Sequence, residues 1–84
     1  MRKKTTTKKF RSISDIALEI KKDWGNVSPF AAPYLTAMYC LTNVTDKYQL
    51  DDGKTIIAYF LSNAGTWKGE TARRIKAELR LMIK

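Results

Sequence analysis

Apolar residues recur along this chain at intervals of three and four, and no stretch alternates apolar with polar in the manner of a strand. Ile13, Ile16, Ala17, Ile20 and Trp24 form one such stripe, and Tyr34, Ala37, Met38, Leu41 and Val44 form a second. Ile56, Ile57, Phe60, Leu61 and Ala64 form a third, extended by Ala58 and Tyr59; Ala72, Ile75, Leu79, Met82 and Ile83 form a fourth. This is the spacing of one buried helical face. It predicts an all-α fold, a compact bundle of four helices at about 13–24, 33–44, 52–64 and 67–83. The third is apolar around most of its circumference and is expected at the centre.

Residues at the ends of these stripes agree with the helices. Ser12 is a good N-cap for the first helix, with Asp15 three residues on, and Gly25 suits the left-handed position after it. Ser28-Pro29 can open the second helix, but Pro33 removes an early hydrogen bond, so the first turn is expected to stand apart and the main helix to begin near Pro33. Residues 45–52, TDKYQLDD, read as a polar connection in which Asp51, Asp52 or both start the third helix. Gly65 ends that helix and Thr66 caps the fourth. Gly69, near the start of the fourth helix, costs about 1 kcal/mol against Ala there.

The chain has 84 residues, enough for one domain that buries about 60–65% of its unfolded surface. Its 44% hydrophobic content, with two Trp, three Phe and four Tyr, is core material that a wholly disordered chain lacks. The domain is expected to span 12–84, preceded by a flexible, disordered basic arm at 1–11.

Charge is segregated. Residues 1–11 hold six basic groups (Arg2, Lys3, Lys4, Lys8, Lys9 and Arg11) and no acid. Residues 12–65 hold four basic and six acidic groups, and residues 66–84 hold six basic and two acidic ones. The net charge of +8 is therefore concentrated at the two ends, a distribution that attracts polyanions. On the fourth helix Arg73, Lys76, Arg80 and Lys84 recur at helical spacing and line one face beside the core stripe, where they can neutralise successive phosphates. The arm can enter a minor groove or follow a backbone. An ordinary solvated helix face and a solubilising tail are the plain alternatives.

Catalytic signals are weak. The chain has no histidine, which removes the commonest general base and metal ligand, and its single Cys40 excludes Cys/His zinc sites within one chain. No neighbour of Cys40 is placed to lower its pKa. The adjacent Asp51 and Asp52 suit helix capping better than metal or acid–base work. Gly53-Lys54-Thr55 matches the end of a phosphate loop, but position 48, where the loop's first glycine belongs, is Tyr48. No enzyme activity, cofactor or metal is expected. No apolar run reaches the roughly 18 residues of a membrane span, and no apolar segment of signal-peptide type follows the basic start. A cytoplasmic, reducing location with no membrane partner is expected.

A helix-turn-helix can be drawn from the third helix, Asn63-Ala64-Gly65-Thr66 and the fourth helix, with Arg73 and Arg74 facing guanine edges. The fourth helix is long for a recognition helix and shows no outward Asn or Gln set, which favours a plain helical hairpin. Trp67 and Tyr34, Tyr39, Tyr48 and Tyr59 read as packing residues before stacking surfaces.

The segments SPFAAPYLTAM and YFLSNAGTWKGETARRIKAEL resemble small uncharacterised proteins of phages and mobile elements in Gram-positive bacteria, over roughly residues 12–84. The resemblance implies an origin in mobile DNA and a regulatory or inhibitory role, and brings no site residue with it. Together these readings lead to a non-enzymatic accessory protein that binds DNA or RNA with weak sequence specificity. The alternative is an interaction module, an inhibitor or adaptor, acting on an acidic protein. A homodimer through the second or fourth helix, with Leu81 as a contact, is compatible with so small a core.

Overall fold

The computed structural model describes residues 10–84, and the expected arm residues Arg2, Lys3, Lys4, Lys8 and Lys9 lie outside them. The fold is mostly helical. Its described elements run, in order, α1 (Ile13–Asp23), α2 (Ala32–Met38), β1 (Lys47–Tyr48), β2 (Asp51–Asp52), α3 (Gly53–Ser62) and α4 (Glu70–Met82).

Helix α1 forms as its sequence dictates. The Ser12 hydroxyl accepts from the Asp15 N–H at 3.2 Å, and Ile13, Ile16, Ala17 and Ile20 are buried. Two of the N–H groups left orphaned at a helix start find partners elsewhere in the fold: Ile13 N donates to the Thr42 carbonyl and Ser14 N to that of Leu41. Gly25 does not take the expected left-handed conformation; among the described residues that region holds Gly69 (φ 113°) and Gln49 (φ 59°).

Helix α2 is shorter than its apolar spacing predicts. It begins at Ala32, after a separate turn in which Ser28 binds the Phe30 and Ala31 N–H groups, and it ends at Met38 instead of near Val44. Two competing bonds explain the early stop. The Asp46 carboxylate accepts from the N–H groups of Thr42 and Asn43, at 3.0 and 2.9 Å, holding 42–46 as a turn. The carbonyls of Leu41 and Thr42 are already turned toward α1. Leu35, outside the expected stripe, is buried with Ala37, Met38 and Leu41, while Tyr34 and Val44 pack at the core edge.

The connection read as irregular contains a small antiparallel hairpin, with Lys47 opposite Asp52 and Tyr48 opposite Asp51. Strands of two residues carry too few side chains for an alternation to be visible. Asp52, not Asp51, caps α3, accepting from Thr55 N at 2.9 Å. Gly53 is buried against the 42–46 turn: its N–H donates to the Asp46 carbonyl at 2.7 Å, and that of Lys54 donates to the Val44 carbonyl at 3.0 Å. Ile56, Ile57 and Phe60 face the core, whereas Ala58 and Tyr59 are exposed.

Helix α4 starts three residues later than expected. Thr66 is exposed and caps nothing; Gly69 occupies the N-cap with no side-chain bond. The cause is Trp67, which the 63–69 connection carries into the core. Its indole N–H donates to Asp23 at 2.9 Å, and its ring stacks on Trp24 at 5.6 Å and 8°. Phe60 meets both indoles edge-on, at 6.3 and 6.4 Å. Such pairs contribute about 0.5–1.5 kcal/mol each beyond area burial. Helix α3 packs on α2, α4 and β2, and α1 packs on α2 and α4.

Candidate nucleic-acid interface

Helix α4 buries Ala72, Ile75 and Leu79, with Met82 and Ile83 at the core edge. Helical geometry then sets the neighbouring positions at the rim. Arg73, Lys76 and Arg80 line one open groove of about 290 Å³ together with Gly65, Trp67, Lys68, Gly69 and Ala72. No carboxylate lines it, and among the described residues none lies within ion-pair distance of Lys68, Arg73, Lys76 or Arg80.

Lys76 is the fixed point of the groove. Its ammonium donates to the Trp67 carbonyl at 2.7 Å and stands 5.8 Å from the centre of the Trp67 ring. Burial pushes the Lys76 pKa below its ordinary value, and the nearby charges of Arg80 and Lys68 push it further down. Trp67 itself is 2% exposed, so it presents no face on which a base can stack.

The remaining cations of the region are treated differently. Arg11 makes a bidentate pair with Glu78, with bonds of 2.7 and 3.2 Å, and a further bond of 2.7 Å to Glu19. Hydrogen bonding to Glu78 raises its pKa, burial opposes this, and Glu19 adds to it. Arg74 reaches the second oxygen of Glu19 at 2.5 Å; Arg74 first, then Arg11, holds the Glu19 carboxyl below its usual range. Arg11, assigned from the sequence to the basic arm, is therefore tied to α1 and α4. Arg74, considered from the sequence for base reading, is tied to α1. Lys84 is exposed beyond the end of α4 and does not line the groove.

Lys68 was missed because the sequence placed it among early helix residues, although it precedes Lys76 by two turns' worth of residues, a visible signal. The helix-turn-helix outline fails on spacing. Seven residues, 63–69, separate α3 from α4, against the three or four of that motif. Asp51 and Asp52 sit in β2, Asp52 as a cap whose pKa is lowered first by the Thr55 backbone N–H. Cys40 is exposed. Among the described residues no group of three or more His, Cys, Asp or Glu side chains is placed to hold a metal, and no helix is long and apolar enough to cross a membrane.

No family model, no curated protein and no solved structure matches this chain.

Proposed function

We propose that the chain is a non-enzymatic accessory protein that binds nucleic acid through the basic groove of α4, with weak sequence specificity. The observation that supports this is the sorting of cations: Arg11 and Arg74 are spent on Glu19 and Glu78, while Lys68, Arg73, Lys76 and Arg80 share a carboxylate-free concavity. Unpaired cations along α4 and the connection before it are suited to phosphates, whose counter-ions they release. Arg2, Lys3, Lys4, Lys8 and Lys9 add five charges to the same polyanion, and exposed Lys84 adds one more beyond the end of α4. Weak specificity follows from a groove that offers charge and a sealed indole in place of a base-reading set.

The test is fluorescence anisotropy of a labelled random duplex at about 50 and about 200 mM salt, with the full chain, with 10–84, which keeps the Arg11 ion pairs, and with Arg73→Ala/Lys76→Ala/Arg80→Ala. Three lost phosphate contacts reduce the salt slope by about 2.7, so the fourfold salt increase costs the variant about 40-fold less affinity than it costs the full chain. Unchanged binding by a folded triple variant refutes the site. Absence of duplex binding at the lower salt refutes the function and turns attention to an acidic protein, whose carboxylates imitate phosphates.

A further inference from the structure

We propose that the groove is a discrete site for one phosphate monoester group, with Lys76 as its pre-positioned central cation. This rests on the nucleic-acid reading, in which the same cations meet backbone diesters in succession, and adds that together they hold a single monoester more tightly than a diester.

The argument starts from an imbalance. Lys76 is partly withdrawn from water and lies beside Arg80 and Lys68, with no carboxylate at hand. Withdrawing a cation from water among like charges is unfavourable unless an anion joins it. One of its three N–H donors goes to the Trp67 carbonyl; the other two have no protein partner among the described residues. The bond to a core-anchored carbonyl fixes the ammonium before any ligand arrives, so little side-chain freedom is lost on binding.

Charge and geometry then restrict the ligand. The groove, of about 290 Å³, is open to solvent and has ample room for a phosphate group whose ester substituent extends outward. The Trp67 ring under Lys76 is sealed from a base. Arg73 and Arg80 bring planar guanidinium forks that match phosphate oxygens, and the accumulated positive charge favours a doubly charged monoester over a singly charged diester. Gly65 leaves the wall open, since a Cβ there meets no atom within 4 Å. Free phosphate and the terminal phosphate of a nucleic acid share this chemistry.

The test is thermal unfolding of the full chain in inorganic phosphate against chloride at matched ionic strength. At ten times its dissociation constant, phosphate raises Tm by about 6–11 °C through preferential binding to the native state. Lys76→Met removes the shift. As a variant that leaves the Trp67 contact intact, Lys68→Gln/Arg80→Gln reduces it, and Lys54→Ala preserves it. Equal Tm values in phosphate and chloride overturn the proposal, as does a full shift in both groove variants. Titration with a short oligonucleotide bearing a 5′-phosphate or a 5′-hydroxyl assigns the source. Tighter binding of the former points to a nucleic-acid end; equal binding beside a positive Tm shift points to free phosphate. Duplex binding without a phosphate shift refutes this inference alone. A phosphate shift without duplex binding refutes binding along the duplex backbone and leaves this inference standing.

Discussion

Replacing Gly53 by Ala should destabilise the protein, although Ala is the better helix former and Gly53 opens a helix. A Cβ at Gly53 falls 2.9 Å from the Asn43 carbonyl oxygen, 3.0 Å from the Val44 Cα and 3.1 Å from the Val44 carbonyl oxygen, all inside the 3.4–4 Å of ordinary contact. All three are backbone atoms, so no side chain can swing aside. The turn that carries them is held by the Asp46 carboxylate on Thr42 and Asn43, and by the N–H groups of Gly53 and Lys54 themselves. Overpacking of this kind costs about 1–3 kcal/mol, and the Gly-to-Ala change returns about 0.4–1 kcal/mol by narrowing the unfolded ensemble. Taking the middle of each range, the net is a loss of about 1.3 kcal/mol, or roughly 5–10 °C in Tm for a domain of this size. Gly25→Ala is the matched control: its Cβ meets nothing within 4 Å and its φ is not left-handed, so it should gain about 0.4–1 kcal/mol. Urea unfolding followed by tryptophan fluorescence reads both, as midpoint shifts at constant slope. Equal or greater stability of Gly53→Ala refutes the close approach of α3 to the 42–46 turn; destabilisation by Gly25→Ala refutes the assigned end of α1.

Gln49→Gly should stabilise the hairpin by about 0.5–1 kcal/mol, because Gln49 sits at φ 59° and glycine bears no penalty there; thermal melts check it. Arg11→Ala should cost at most about 1 kcal/mol, with the loss shrinking in high salt, since its ion pairs are surface ones; urea midpoints at two ionic strengths measure it. The Glu19 pKa is lowered in the folded state, so its stabilising contribution is complete above the ordinary glutamate value and declines as pH falls through the lowered one; Glu19→Gln should flatten that part of the acid-unfolding curve.

Periodicity made α1 legible almost to the residue, because Ser12, the Ile stripe and the Trp24 anchor all agree locally. The start of the third helix was equally clear, since Asp52 had only to cap the nearest apolar run, but the helix ends at Ser62, short of the expected Ala64 and Gly65. The errors arose where distant residues outbid local pattern. Helix α2 stops at Met38 because Asp46 and the α1 N-terminus claim the next backbone groups, contacts with no local trace. Helix α4 waits until Glu70 because Trp67 is drawn to Trp24, Phe60 and Asp23, 44 residues away at its farthest partner. The basic face of α4 was visible as a spacing of Arg73, Lys76 and Arg80. Its division into paired and unpaired cations was not, because Glu19 lies 55 residues from Arg74, and Glu78 lies 67 from Arg11.

That division is tested most directly by the slope of log affinity against log salt for a labelled random duplex, compared between Arg73→Ala/Arg80→Ala and Arg74→Ala. Loss of two unpaired groove cations should lower the slope by about 1.8, while loss of the Glu19-bound Arg74 should leave it unchanged. A slope that falls with Arg74→Ala and stays constant in the groove variant contradicts the assignment of the α4 groove as the phosphate-binding surface.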